Sequence, residues 1–448
     1  KVLKLANIFS CMKMLNKKAN KIIIIIALIS YFPTSYATER IDILSQQTKF
    51  GTIVRNAGKD NSVICDQTGA YTGSPSFIYY KIGSSTNASS LHLSGVDTIF
   101  DFEIFDNVVY FCGVKNNTTG GYGVLGYFSL TGFPYTTVKY LNVPLFRRLK
   151  RIEVGNMAGS THMVAVGDGI QDYAVLVDAV DNGGTWTLNF LNSEDNDYKF
   201  VDLAITESYV VVISYVFENI TYSARAINFA KPTIPGGTLS PISVQWVEVC
   251  SQASPYMRIE ACEKDTYVVV VANGVNLIGT SGFTIAAYNY VGHISTNFLS
   301  EPYDRVYLND IVYDKTSKMF ELLFYFKTDS SKFSVIYNLI PAMESGNVTA
   351  SGHLYNDVDI TSLDLSGNNL YHVIATGIHT TSLNYIAHFL YHYALWDNCM
   401  EQHYNLVTKI SPPIRQEFLD IGLVSIEQVP KEITESEKSV PTLNLCME

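Results

Sequence analysis

The sequence predicts an all-β fold, a β-propeller of seven four-stranded blades, and three observations predict it. Of 448 residues, 47% are hydrophobic and 12% aromatic, with 30 Tyr and 23 Phe, a composition that suits strands. An apolar-acid-apolar triplet, a polar turn and a β-branched run recur about every fifty residues. Helix-forming residues in amphipathic spacing are scarce.

The triplets are Phe102-Glu103-Ile104, Ile152-Glu153-Val154, Val201-Asp202-Leu203, Ile259-Glu260-Ala261 and Asn309-Asp310-Ile311, with a weaker sixth at Ile360-Thr361-Ser362. Their central positions are separated by 50, 49, 58, 50 and 51 residues. After each comes an apolar run, such as "VVYFCG", "HMVAVG" or "YVVVVANG", and four of these runs close on Gly113, Gly167, Gly274 and Gly377. A third strand follows ("GVLGYFSL", "YAVLVDAV", "FTIAAYNY"), then a more variable fourth ("TVKYLNV", "TWTLNFL", "SVQWVEV"). Four short strands in a unit of about fifty residues is the spacing of a propeller blade. One such sheet cannot bury both faces, and face-to-face packing about an axis solves that. A β-sandwich is the alternative, but it does not demand the same unit six times. "GTIVRNA", "SVICDQ", "SFIYYKIG" and "SLHLSGV", between Gly51 and Val96, supply a further unit. That makes seven blades; six and eight stay open. "RIDILSQQ", near Arg40, or the segment around "EQHYNLVTKI" would pair beside the last blade and close the circle. From Pro412 the chain turns charged and Pro-bounded ("PKEITESEKSVP"), which reads as an extended or mobile strap over residues 412–448.

Residues 1–37 read as a secretion signal. Lys13, Lys17, Lys18 and Lys21 precede the apolar "IIIIIALIS", too short for a permanent span, and Ser35 and Ala37 stand at a small-residue cleavage site. Cleavage after Ala37 is expected, with an uncleaved anchor as the alternative. Met12 or Met14 marks the expected start, and the residues before it read as an upstream extension. The propeller then spans 38–411, with no transmembrane segment, in a secreted protein of the periplasm or cell surface. Without residues 1–37 the chain holds 25 basic against 42 acidic groups. So acidic a field disfavours nucleic acid and anionic membranes. Cations, neutral sugars and peptides suit it better. Cys65, Cys112, Cys250, Cys262, Cys399 and Cys446 remain, an even number that permits disulfides without fixing their pairing; Cys446 with Cys399 would tie down the tail. Free buried thiols are the alternative.

The repeated acid carries the first functional expectation. The first strand of a blade lines the central channel, so Glu103, Glu153, Asp202, Glu260 and Asp310 would converge as a binding ring. Such a ring needs a hard cation such as Ca²⁺, ordered water or raised pKa values. The alternative is structural: each acid bonds backbone N–H groups or a tyrosine of the neighbouring blade. No cofactor is otherwise implied. Asn87, Asn117, Asn219 and Asn347 stand in glycosylation sequons. His388 and His392 would be chelating neighbours on a helix, but this run reads as a strand, where four residues span about 13 Å. No nucleophile elbow, phosphate loop or nicotinamide fingerprint occurs.

"DAVDNGGTWTL" is the other specific stretch. Asp181, Gly183, Thr185 and Trp186 resemble the core of the Asp box, D-x-G-x-T-W, of sialidase-type propellers, with Ala179 where a Ser or Thr usually leads. In those families the box is a fold element between the third and fourth strands. The resemblance implies a tight turn and a Trp packed between blades. Sialidase chemistry would require several copies and an arginine triad; one copy is present, and Arg147, Arg148 and Arg151 cluster without the family's Arg-Ile-Pro start. With the "DFEIFDNVVYFCG" unit and the signal segment, the mature chain also resembles secreted β-propeller proteins of Gram-negative gut-type bacteria. Propellers host many unrelated activities. The expectation is an exported non-enzymatic binding or scaffold module that takes a glycan, peptide or partner protein at one open face. A glycan-active hydrolase or lyase using the axial carboxylates is the alternative.

Overall fold

The computed structural model describes residues 39–47, 52–58, 61–67, 74–81, 88–116, 121–170, 174–193, 198–218, 221–250, 259–264, 267–275, 281–288, 293–300, 306–314, 319–327, 332–342, 347–355, 358–365, 371–379, 384–391, 401–404, 408–410, 414–417, 421–440 and 442–444. The expected signal segment and the Cys399–Cys446 pair lie outside these residues. Among them every element is a strand, and no helix is long and apolar enough to cross a membrane.

The strands run in order as β1 (Glu39–Gln47), β2 (Thr52–Asn56), β3 (Asn61–Asp66), β4 (Ser76–Lys81), β5 (Ala88–His92), β6 (Thr98–Phe105), β7 (Val108–Lys115), β8 (Tyr122–Ser129), β9 (Thr137–Val143), β10 (Phe146–Met157), β11 (Ser160–Gly169), β12 (Ala174–Asp181) and β13 (Trp186–Ser193). Next come β14 (Tyr198–Ile205), β15 (Tyr209–Glu218), β16 (Thr221–Ala230), β17 (Ser240–Cys250), β18 (Ile259–Lys264), β19 (Tyr267–Val275), β20 (Ser281–Tyr288) and β21 (His293–Ser300). They are followed by β22 (Val306–Asp314), β23 (Met319–Lys327), β24 (Lys332–Ala342), β25 (Asn347–Tyr355), β26 (Val358–Leu365), β27 (Tyr371–His379) and β28 (Asn384–Tyr391). The last seven are β29 (Glu401–Tyr404), β30 (Thr408–Ile410), β31 (Ile414–Glu417), β32 (Ile421–Gln428), β33 (Lys431–Thr434), β34 (Ser436–Val440) and β35 (Thr442–Asn444).

These strands form seven antiparallel sheets among the described residues. Six are built on consecutive strands: β2–β5, β6–β9, β10–β13, β14–β17, β18–β21 and β22–β25. The seventh joins β26–β28 to β1, so the N-terminal segment, and not the "EQHYNLVTKI" stretch, lies beside the last repeat. The sheets have five strands where the sequence predicts four. The fifth comes from the C-terminal segment, which visits the sheets in reverse order: β29 pairs with β25, β30 with β21, β31 with β17, β32 with β13, β33 with β9, β34 with β5 and β35 with β1. This paired segment starts at Glu401, upstream of residue 412 where the strap was expected.

Two-residue turns join β6 to β7 and β10 to β11. Asp106-Asn107 and Ala158-Gly159 both take positive φ, as a type I′ hairpin requires. Each sheet then packs on the next through alternating side chains. From β7, Phe111 joins Phe77, Phe102 and Phe128 in one core, while Cys112 on the opposite face joins Leu149, Ile152 and Trp186 in another. A third core joins Val164 and Leu176 to Val210 and Val212. Each fully buried Phe contributes about 1.5–3 kcal/mol. Along the other margin, β2 neighbours β6, β6 neighbours β10, and the succession continues through β14, β18 and β22 to β26, which neighbours β2.

The recurrent glycine has a local cause. The first strands carry a bulge between Ile99 and Asp101, Leu149 and Arg151, and Ile360 and Ser362, and the residue paired just before it is Gly113, Gly167 or Gly377. A Cβ on Gly113 would sit 2.3 Å from the Thr98 carbonyl oxygen, and one on Gly167 would sit 2.1 Å from that of Arg148. Only glycine lets the bulged backbone come so close.

Candidate functional site

The bulges decide which side chains meet. After each one the strand resumes with a residue that opposes a fixed point on the second strand: Asp101 opposes Cys112, Arg151 Val166, Asp202 Ile213, Asp310 Leu323 and Ser362 Thr376. Two residues further along the same face stand Glu103, Glu153, Ala204, Val312 and Asp364. Glu260 opposes Val271, three residues before Gly274, as Glu103 opposes Tyr110 three before Gly113 and Glu153 opposes Val164 three before Gly167, so its backbone holds the place of Glu103 and Glu153; its side chain lies outside the described residues. The expected single ring is therefore two tiers. Glu103 and Glu153 sit one tier beyond Asp202 and Asp310, because the apolar-acid-apolar pattern fits either position. Both tiers line one open cavity of about 240 Å³, which gathers Arg55 and Arg151 with Asp101, Glu103, Glu153, Asp202, Asp310 and Asp364.

The first tier joins sheets. Asp101 Oδ2 accepts from the Ile152 N–H at 3.2 Å, one sheet on. Asp310 Oδ2 accepts from the Leu363 N–H at 3.1 Å and the Ser362 hydroxyl at 2.8 Å. The Ser362 hydroxyl in turn lies 3.4 Å from the Val54 N–H. In the second tier, Asp364 Oδ2 accepts from the Asn56 N–H at 2.7 Å. Asp101, Asp310 and Asp364 thus each accept from a backbone N–H of the neighbouring sheet.

Arginines neutralise part of the remaining charge. Arg55, 16% exposed, donates from Nε to Glu103 Oε1 at 2.7 Å and from Nη2 to Asp101 Oδ1 at 3.1 Å, with its guanidinium 5.7 Å from the centre of the Phe102 ring. Arg151 Nε lies 3.6 Å from Asp202 Oδ1. Glu153 differs: among the described residues no hydrogen bond or ion pair reaches its carboxylate, and the charges acting on it are mostly acids, Glu103, Asp101 and Asp202, opposed by Arg55.

Titration follows from this placement. Burial pushes Glu103 from 4.5 up to about 7, against the pull of Arg55 and with the help of Asp101 and Asp364. Burial raises Glu153 well above the ordinary carboxylate range, and Glu103, Asp101 and Asp202 add to it. Asp101 and Asp364 are also raised by burial, opposed by Arg55. Burial works against the Arg55 charge, but the surrounding carboxylates outweigh it and hold that group well above its usual value.

Among the described residues no group of three or more His, Cys, Asp or Glu is arranged to hold a metal. The Ca²⁺ expectation thus meets carboxylates already turned to backbone N–H groups and arginines. Cys65 and Cys112 are buried free thiols. His388 stands on β28, and His392 lies outside the described residues. His162 Nδ1 meets Asp178 Oδ1 at 2.7 Å with both side chains fully buried, a sealed pair away from the cavity. The Asp-box-like stretch forms the tight turn expected of it: Asp181 Oδ1 accepts from the Gly183 and Gly184 N–H groups at 2.9 and 3.2 Å. Trp186, 1% exposed, packs between sheets and donates to the Tyr127 hydroxyl at 3.2 Å.

Sequence reasoning missed Arg55, Asp101, Arg151 and Asp364. Asp101 carried the same signal as the chosen acids, in Phe100-Asp101-Phe102, two residues from Glu103 and so on the same strand face. No protein-family model matches the chain, and no curated protein is similar to it.

Proposed function

We propose that the chain is a seven-bladed β-propeller whose cavity makes it an exported, non-enzymatic binding module for a glycan, peptide or partner protein. The seven sheets, packed in succession with the last beside the first, support the architecture. One observation carries the function: Glu153 faces an open cavity with no donor among the described residues, beside acids held by arginines or backbone N–H groups. Glu153 is only half-buried, so a ligand hydroxyl or ammonium would replace water there with a fixed donor. The acidic lining favours ligands that present donors. The test is a glycan and peptide panel titrated against the wild type and Glu153→Gln. A ligand is expected to bind the wild type without turnover and to lose tenfold or more in affinity in the variant. Equal binding by both proteins would contradict the role given to Glu153.

Glu103 favours a second reading. A carboxyl held near 7 beside an open cavity is poised as a general acid, with Glu153 as the second carboxyl of a glycan hydrolase. Product release from the glycan panel, abolished in Glu103→Gln, would select this reading over simple binding.

A further inference from the structure

The C-terminal segment is attached by a different chemistry from the sheets it covers. One stretch of it, Ile421–Val440, supplies β32, β33 and β34 to three successive sheets, pairing eight residues with β13, four with β9 and five with β5. Over residues 425–435 its side chains add little burial. Ser425, Glu427, Val429, Lys431, Glu432 and Thr434 are exposed. Ile426 and Ile433 pack only partly buried against cores that the four inner strands complete between themselves. Ladder hydrogen bonds and a few polar clasps do the rest.

The clasps stand where the segment crosses between sheets. Ser425 Oγ donates to Asn189 Oδ1 at 2.7 Å within the sheet of β32. Gln428, at the end of β32, reaches into the next sheet and holds both backbone groups of Asn142: Oε1 accepts from the N–H at 3.1 Å, and Nε2 donates to the carbonyl at 2.7 Å. Glu435 bridges the following crossing. It accepts from the Tyr140 hydroxyl at 2.5 Å in the sheet of β33 and from the Ser94 N–H at 3.0 Å beyond β5.

We propose that residues 421–440 are a latch, a cooperative unit that detaches from the sheet edges while the four inner strands of each sheet stay folded. Its removal leaves the inter-sheet cores intact and costs mainly edge hydrogen bonds and the clasps. Closed, it denies the outer edges of β13, β9 and β5 to any other strand, the hazard of an open sheet edge. Open, it presents them together.

Native-state hydrogen exchange on the full chain tests this, read at the amides of β32–β34 that bond to the sheets and at those of β11 and β12. The latch amides are expected to exchange at least tenfold faster than those of β11 and β12. In Gln428→Ala/Glu435→Gln they should accelerate about tenfold further, with β11 and β12 unchanged. Latch and inner strands exchanging at one common rate in the wild type would overturn the proposal, and that comparison depends on no variant.

Discussion

At the cavity margin, neighbouring sheets are joined by side chains that reach across: Asp101 to Ile152, Asp310 to Leu363 and Asp364 to Asn56. At the opposite margin, β32 is joined to β13 by a backbone ladder of eight paired residues, and its side chains from Ser425 to Gln428 alternate between solvent and partial cover. The first kind of joint depends on residue identity at one place in every unit. The second depends on little more than extended backbone in the right place. The inner margin should therefore be brittle to substitution and sensitive to pH, and the outer one tolerant and separable.

The largest expected effect breaks the inner joint. Asp101→Ala leaves Arg55 short of one partner and the buried Ile152 N–H without an acceptor, and should cost about 3–5 kcal/mol in urea denaturation. A loss below about 1 kcal/mol would mean that the outer ladders carry the structure.

The next effect sharpens the contrast through pH. Glu103 holds its proton to about 7 in the folded chain and releases it near 4.5 when unfolded. Between those values the folded state binds more protons, so this group's contribution to stability falls as pH rises from about 4.5 through 7. Glu103→Gln should flatten that part of the profile of urea midpoint against pH.

Smaller effects belong to the latch. Ile433→Ala removes a partly buried side chain and should cost about 1 kcal/mol of global stability. Gln428→Ala should cost about 0.5–1.5 kcal/mol, with the change confined to exchange in β32–β34.

The two margins also differ in how much of them can be read from the chain. The repeat was legible because every unit needs the same apolar run and, in several, the same glycine against a bulge: Gly113 and Gly167 mark the bulge directly. The acids were legible as a recurring class, but their tiers were not. A bulge leaves sequence spacing unchanged, so Glu103 and Asp202 look equivalent until the pairing register places them two residues apart. Arg55 stood in a recognised strand with no repeat partner of its kind, whereas Asp364, in Leu363-Asp364-Leu365, carried the triplet signal two residues beyond the one chosen. The latch was legible as an extended strap, from its charges and prolines, but its pairing with the sheet edges was not. Short polar strands such as "KEIT" and "SEKSV" have no apolar alternation, because only the backbone is asked to fit. Charged residues on such strands are what an exposed edge favours.

The most direct measurement is calorimetric titration of the ligand selected from the glycan and peptide panels into the wild type, Glu153→Gln and Gln428→Ala. The account predicts affinity at least tenfold weaker in Glu153→Gln and unchanged in Gln428→Ala. Undiminished binding to Glu153→Gln, or a loss in Gln428→Ala as large as that expected of it, would contradict a ligand site in the cavity between the first strands.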